Sequence, residues 1–251
     1  MNNPVEQNVQ WNIAKWNEMY NWPESGEEWS KSWGDSRNQW YMTIYPRIMS
    51  CLPARTILEV APGWGRWTRF LMTECSNYIG FDISEKAIRE CERRFCFDGK
   101  ARFFQNDGKT LAAATDGSVD FIFSMDSLVH AETDAMEPYI SEFSRVLSPR
   151  GVGFVHHSNM AEHRMSHIPN PHLRATSLSA DVFRSLCEKY NMVCITQEKL
   201  NWGQAETNDC FTLFTRSEKM KGKLTKVWNN QQFHLEINHA RTVFEAFRFE
   251  V

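Results

Sequence analysis

Six of the 8 histidines lie between His130 and His172, and two groups of them stand beside carboxylates or amides in short spans, Asp126-Ser127-Leu128-Val129-His130-Ala131-Glu132 and His156-His157-Ser158-Asn159. An imidazole titrates near neutrality, so a positioned histidine can accept the proton of an attacking hydroxyl, and a carboxylate close by can hold the ring or the hydroxyl in place. His130 ranks first as such a base and His157 second, with Asp126 or Glu132 as the orienting group; either carboxylate would serve equally well as a helix cap. A second span has the spacing of a ligand cradle. In Glu59-Val60-Ala61-Pro62-Gly63-Trp64-Gly65 the two glycines lack a Cβ, so backbone can approach a ligand closely, and the helix that follows offers unpaired N–H groups. Asp82 lies roughly 20 residues further on, where an acid can bond the two hydroxyls of an adenosine ribose.

These groups need a scaffold to bring them together. Short apolar runs at 56–60, 78–81, 101–104, 119–124 and 151–155 read as strands, separated by helical patterns at 65–75, 84–95 and 134–147. Ser84 caps the second of these helices, and Pro149-Arg150-Gly151 turns the chain into the fifth strand. A further helix is expected over 180–189, then a hairpin of strands over 191–200 and 209–215. This alternation implies an α/β fold, a mostly parallel sheet with helices on both faces. Ligands bind such sheets beyond the carboxyl ends of the strands, where the cradle and both histidine groups fall.

The two ends differ from this core. Residues 1–50 hold Trp11, Trp16, Trp22, Trp29, Trp33 and Trp40, too much apolar surface for a solvated segment. They predict an N-terminal helical lid, lying either on the sheet edge or over the pocket. Ser36-Arg37-Asn38-Gln39 reads as a capping box opening a helix with Trp40, Ile44 and Ile48 on one face, kinked or shortened at Pro46. Residues 51–216 form the core, and 217–251 an extension that is either an edge element or the start of a further domain. A net charge of −3 gives no general attraction to nucleic acid. No run approaches the ~20 apolar residues of a membrane span, and Met1-Asn2-Asn3-Pro4 has no signal-peptide character. The 7 cysteines include no C-x-x-C pair, which argues against a zinc site and for reduced thiols in the cytoplasm.

An NAD-binding chain would be expected to show G-x-G-x-x-G/A, but bulky residues around Trp67 replace the third glycine. The span from Glu59 to Gly65 instead resembles the first motif of the class I S-adenosylmethionine-dependent methyltransferases, an acid, then a small residue, then Gly-x-Gly. Asp82 resembles that family's ribose-binding acid, Asn106-Asp107-Gly108 its adenine-contacting loop, and Val119 to Ser124 its fourth strand. The resemblance runs over roughly residues 37 to 215. It implies a Rossmann-like, mostly parallel seven-stranded sheet and S-adenosylmethionine as cofactor, with contacts from Trp40, Glu59, Ala61, Gly63, Gly65, Asp82, Ile83, Asn106, Asp107, Gly108 and Ser124. Ala61-Pro62 departs from the family's usual first glycine, and a negative φ is expected there.

Trp33-Gly34-Asp35-Ser36, Gln39-Trp40, Phe123 to His130, Gly153 to Asn159 and His172 to Ser177 resemble a bacterial subgroup of these enzymes found among surface-polysaccharide genes. That implies O-methylation of a sugar hydroxyl, such as the terminal Kdo of a lipopolysaccharide O-antigen. The enzyme would work in the cytoplasm or at the inner face of its membrane, with a saccharide acceptor and with further catalytic domains in a longer parent chain. Acceptor contacts would come from Trp33, Arg66, His156, Asn159, Arg174, Asn201 and Trp202, with Arg164 as another guanidinium for an acidic sugar. The acceptor hydroxyl would attack the methyl in line and yield its proton to His130 or His157. Two other readings stay open: a methyltransferase for a small natural product or amine, with a divalent metal on Asp126, His157 or Asp209, and a noncatalytic nucleotide-binding module.

Overall fold

The computed structural model describes residues 4–97, 99–163, 168, 170, 172–203 and 205–248. Among the described residues eight strands, β1 (Ala54–Val60), β2 (Cys75–Asp82), β3 (Ala101–Gln105), β4 (Val119–Ser124), β5 (Leu147–Ser158), β6 (Val193–Leu200), β7 (Asp209–Thr215) and β8 (Lys226–Asn230), form one sheet. Their order is β3-β2-β1-β4-β5-β7-β6-β8, and β7 alone runs antiparallel to its neighbours. This Rossmann-like arrangement has one strand more than the seven expected. The extra strand, β8, exposes four of its five residues, so its own sequence carries no period-two signal; pairing with β6 from Thr196↔Lys226 to Leu200↔Asn230 makes it a strand. β5 is also longer than the predicted 151–155. Between Val119↔Leu147 and Phe121↔Val152 it advances five residues while β4 advances two, so the Pro149-Arg150-Gly151 turn loops out within it.

The α-helices are α1 (Pro4–Ala14), α2 (Ser36–Gln39), α3 (Tyr45–Ile48), α4 (Thr68–Leu71), α5 (Glu85–Phe95), α6 (Thr133–Val146), α7 (Ala180–Lys189) and α8 (Phe233–Phe247). β1 shows why the central strands read as unbroken apolar runs: Leu58 and Val60 pack into one core layer, Ile57 into the layer on the opposite face. The first layer contains Tyr139, Ile140 and Phe143 of α6 and Phe183 of α7. The second contains Trp40, Ile44 and Ile48, together with Ile88, Cys91 and Phe95 of α5 and Phe233 of α8. α5 begins as expected, with the Ser84 hydroxyl accepting from the Ala87 N–H at 3.2 Å, a cap that contributes about 1 kcal/mol.

α2 starts one residue earlier than the capping-box reading placed it. Asp35 is the cap, accepting from the Asn38 N–H at 2.7 Å, and Ser36 lies inside the helix, where its hydroxyl meets Arg69. A π-helical stretch, Trp40–Ile44, separates α2 from α3, which carries Pro46 in its first turn. Residues 217–248 continue the same fold: the Asn38 side chain donates to the Ala240 carbonyl at 2.8 Å, and Arg47 bridges Glu198 of β6 (2.6 Å) and Glu236 of α8 (2.8 Å). Removing Arg47 would strand the buried Glu198 without its main counter-charge, a loss on the order of 3–5 kcal/mol.

Candidate active site

The loops leaving β1, β2 and β4 floor a cleft, and α1, with the turn that extends it, roofs it through Asn8, Val9, Asn12 and Trp16. Trp22, Gly26 and Trp29 close one side. The cleft holds about 1070 Å³ of space, mouth included, at the upper end of the ~300–1,000 Å³ common for small-molecule sites. Of the tryptophan-rich segment, Trp16, Trp22 and Trp29 therefore face the pocket, whereas Trp33 and Trp40 pack into the core.

The cradle differs from expectation at its first position. Ala61 has φ +59°, not a negative value, because its N–H donates to the Phe81 carbonyl (2.6 Å) and its carbonyl accepts from Ser127 (3.1 Å). Two neighbouring elements thus hold alanine in the left-handed region. Gly63 follows with φ +56°, and a Cβ there would stand 2.6 Å from the Trp22 ring, so the lid seats on this glycine.

Asp82, 5% exposed, accepts from the N–H of Gly63 (2.9 Å) and of Ser84 (2.8 Å), and burial pushes its carboxyl up to about 6. A buried carboxylate at the cleft wall with acceptor capacity to spare fits a ligand that brings hydroxyl donors, as a ribose does. Glu59 is more deeply set, accepting from Thr68 (2.8 Å) and the Tyr78 hydroxyl, and burial pushes it up to about 7. It anchors the loop from below.

Of the cofactor residues expected from sequence, Ala61, Gly63, Asp82, Ile83 and Gly108 line the cleft. The other six support it. Besides Glu59, Trp40 stacks on Phe70 (5.1 Å) beyond Trp67, and Gly65 lies against Phe95, whose ring a Cβ would meet at 2.2 Å. The Ser124 hydroxyl donates to the Val60 carbonyl (2.9 Å), Asn106 donates to the Tyr139 hydroxyl (2.9 Å), and Asp107 accepts from the N–H of Lys109 and Thr110.

The cleft lining also carries His130, Asp126 and Arg66. His130 Nδ1 lies 3.0 Å from the Leu173 carbonyl, which only accepts, so Nδ1 carries the proton and Nε2 is left as the basic nitrogen. Burial holds its pKa below the ordinary value, so the ring is neutral at pH 7. Arg66 donates to Asp126 at 2.5 Å and to Ser30 at 3.1 Å. Burial alone would raise the Asp126 carboxyl, but Arg66 and His156 outweigh it and hold the group below the usual carboxylate range. Asp126 sits at φ +62°, an uncommon conformation for a non-glycine residue.

His157 is not in this cleft. Successive β5 side chains point to opposite faces, and His157 stacks on Phe183 at 4.3 Å, with Nε2 2.8 Å from the Thr212 hydroxyl; burial pushes its pKa down to about 4. The reading of His157 as a base, or as a metal ligand with Asp126 and Asp209, is thereby corrected. Among the described residues no group of three or more His, Cys, Asp or Glu is placed to hold a metal ion. Glu132 is corrected as well: it accepts from Ser177 N–H (2.9 Å) and Thr176 N–H (3.0 Å), tying down the loop whose Leu173 carbonyl orients His130.

Among the expected acceptor residues that are described, only Arg66 lines the cleft. Arg174 spends its guanidinium on both oxygens of the buried Asp209 (2.5 and 2.7 Å), and His156 lies behind Asp126. Asn159 donates to Thr207 and accepts from Ala180. Trp33, Trp202 and Phe233 pack together, with Asn201 against His234. Arg164 lies outside the described residues. The sequence reading missed Asn8 and Asn12, whose only signal is a polar pair one turn apart, and Met125 and Tyr139, which it had no reason to separate from the core.

Residues 57–151 match the family model described as a methyltransferase domain. The wheat (Triticum aestivum) phosphoethanolamine N-methyltransferase 1 is 24% identical over 199 residues, 73% of this chain and 37% of that protein, so the chain spans little more than a third of this relative's length. Among solved structures, a Pyrococcus horikoshii protein is similar at 20% identity and a TM-score of 0.56, covering 80% of this chain and 95% of its own. The magnesium protoporphyrin IX methyltransferase of Synechocystis, solved with bound SAH, gives 14% identity and a TM-score of 0.58, covering 84% and 100%. At these identities the structural likeness shows the fold, and the family match covers the cradle, Asp82 and the β4 loop. Residues 57–151 thus match a methyltransferase domain, the surrounding fold is that of the solved methyltransferase, and the glycine cradle with its buried acid Asp82 fits S-adenosylmethionine as cofactor.

Proposed function

We propose that the chain methylates a saccharide hydroxyl with His130 as general base. The observation that carries this reading is the His130 ring, which lines the cleft with Nδ1 committed to Leu173 and Nε2 left to take a proton. Bound S-adenosylmethionine supplies an electrophilic methyl group. His130 accepts the acceptor's hydroxyl proton at Nε2, and Asp126, backed by Arg66, accepts a hydrogen bond that aims the acceptor. Trp16, Trp22 and Trp29 offer apolar faces of the kind that pack against sugar rings, and the lid limits water. The acceptor we favour is the terminal sugar of a bacterial surface polysaccharide, Kdo. Three of the five segments that resemble the polysaccharide subgroup support it, since they contribute Asp126, His156 and Arg174 to one connected network.

A second reading rests on the same aromatic wall facing a carboxylate, which also suits an amine, and on the wheat relative's name. Isotope-labelled donor offered together with a Kdo-terminated oligosaccharide and phosphoethanolamine separates them. Mass spectrometry should show one methyl added to the saccharide, and label appearing only in phosphoethanolamine would overturn the first reading.

A further inference from the structure

We infer that His156 is a positioning residue that clamps Asp126 in the acceptor wall and ties it to the Asp209–Arg174 pair beneath. His156 is fully buried, with Nδ1 3.1 Å from Asp126 Oδ1 and Nε2 3.0 Å from Asp209 Oδ2. Trp202 (4.7 Å) and Phe211 (4.9 Å) flank the ring and prevent it from turning away. The five side chains Arg66, Asp126, His156, Asp209 and Arg174 form an unbroken chain running from the cleft into the fold.

Nδ1 also lies 3.3 Å from the Asp126 backbone nitrogen, so the ring's proton count decides which part of Asp126 it grips. A neutral ring with its proton on Nε2 accepts from the Asp126 N–H and gives the carboxylate nothing. A doubly protonated ring donates to both carboxylates, and charges then alternate along the whole chain. The groups facing His156 favour the second state: Asp126 and Asp209 touch it, Arg66 and Arg174 stand one carboxylate away, and His130 and His157 are the other ionisable neighbours. Burial acts against the charge, and the two carboxylates outweigh it. Loss of that proton frees the Asp126 carboxylate to follow Arg66 alone. The consequence for acceptor binding rests on the saccharide reading above; the clamp itself does not.

The test is nitrogen and carbon NMR of the full chain, with nitrogen-labelled histidine rings and carbon-labelled aspartate carboxyls. At pH 7 His156 should carry protons on both ring nitrogens while His130 carries one, and the Asp126 carboxyl resonance should move in step with the His156 titration. Asp209→Asn should lower the His156 midpoint by at least about one pH unit. A singly protonated His156 at pH 7, or an unchanged midpoint in Asp209→Asn, overturns the inference. In turnover, His156→Gln should raise KM for the Kdo-terminated oligosaccharide about tenfold or more while the Kd for S-adenosylhomocysteine stays within about twofold. If the parent leaves that oligosaccharide unmethylated, the proposed acceptor fails, and the ring protonation still decides for or against His156.

Discussion

Donor binding should be switched by one proton on Asp82. The carboxyl is pushed up to about 6 by burial, with the Gly63 and Ser84 N–H groups opposing the shift. Only the ionised form accepts hydrogen bonds from both ribose hydroxyls without giving up an oxygen to its own proton. With a midpoint near 6, roughly 90% of the chain is competent at pH 7 and roughly 10% at pH 5, so the apparent Kd should rise about tenfold between them. Asp82→Asn should abolish that slope, since nothing at position 82 then titrates. It should also weaken binding at pH 7 by about 1.5–3 kcal/mol for each charge-assisted bond lost, roughly 10- to 150-fold for one such bond. Calorimetry with S-adenosylhomocysteine at pH 5, 6, 7 and 8 measures both effects without turnover. Affinity in the parent that stays flat from pH 5 to 7, or an Asn variant that binds as tightly as the parent, would refute the reasoning.

His130→Ala should lower single-turnover methyl transfer by about 10²- to 10⁴-fold with little change in donor affinity, whereas His157→Ala should retain the rate and lose roughly 2–4 kcal/mol of stability through its broken packing on Phe183; the reverse pattern would reassign the base. Glu59, pushed up from 4.5 to about 7, binds its proton more tightly in the folded state, so its contribution to stability falls as pH rises through that window. Glu59→Gln should therefore gain on the parent by up to roughly 3 kcal/mol between pH 4.5 and 7 in chemical denaturation, and a constant difference would contradict the buried-carboxyl account. Gly63→Ala places a Cβ against Trp22 at a positive φ, and should cost about 1–3 kcal/mol, shift the tryptophan emission and weaken donor binding together; loss of stability alone would mean that the lid's seat on Gly63 plays no part in holding the donor.

The cradle and its acid were legible in the sequence because their signals are local. Ile57, Leu58 and Val60 declare a strand buried on both faces, Gly63 and Gly65 a turn that no side chain can enter, and Asp82 the end of the next strand. The capped α5 and the alternation through β5 follow from the same short-range patterns. Even here the support residues were indistinguishable from contact residues, since Glu59 and Asp82 are both acids at strand ends and only depth separates them.

The acceptor side was decided by tertiary structure. His156 and His157 are adjacent in sequence, yet the pleat of β5 sends one toward Asp126 and the other onto Phe183. Asp126, His156 and Asp209 stand 30 and 53 residues apart and meet only because β4, β5 and β7 are neighbours in the sheet. Likewise β8 is a strand because β6 offers it an edge, and Ala61 takes a positive φ because Phe81 and Ser127 hold it there. Local sequence specifies what its own backbone prefers; which side chains share a buried charge depends on strand order and facing, and those emerge only when the distant segments pack.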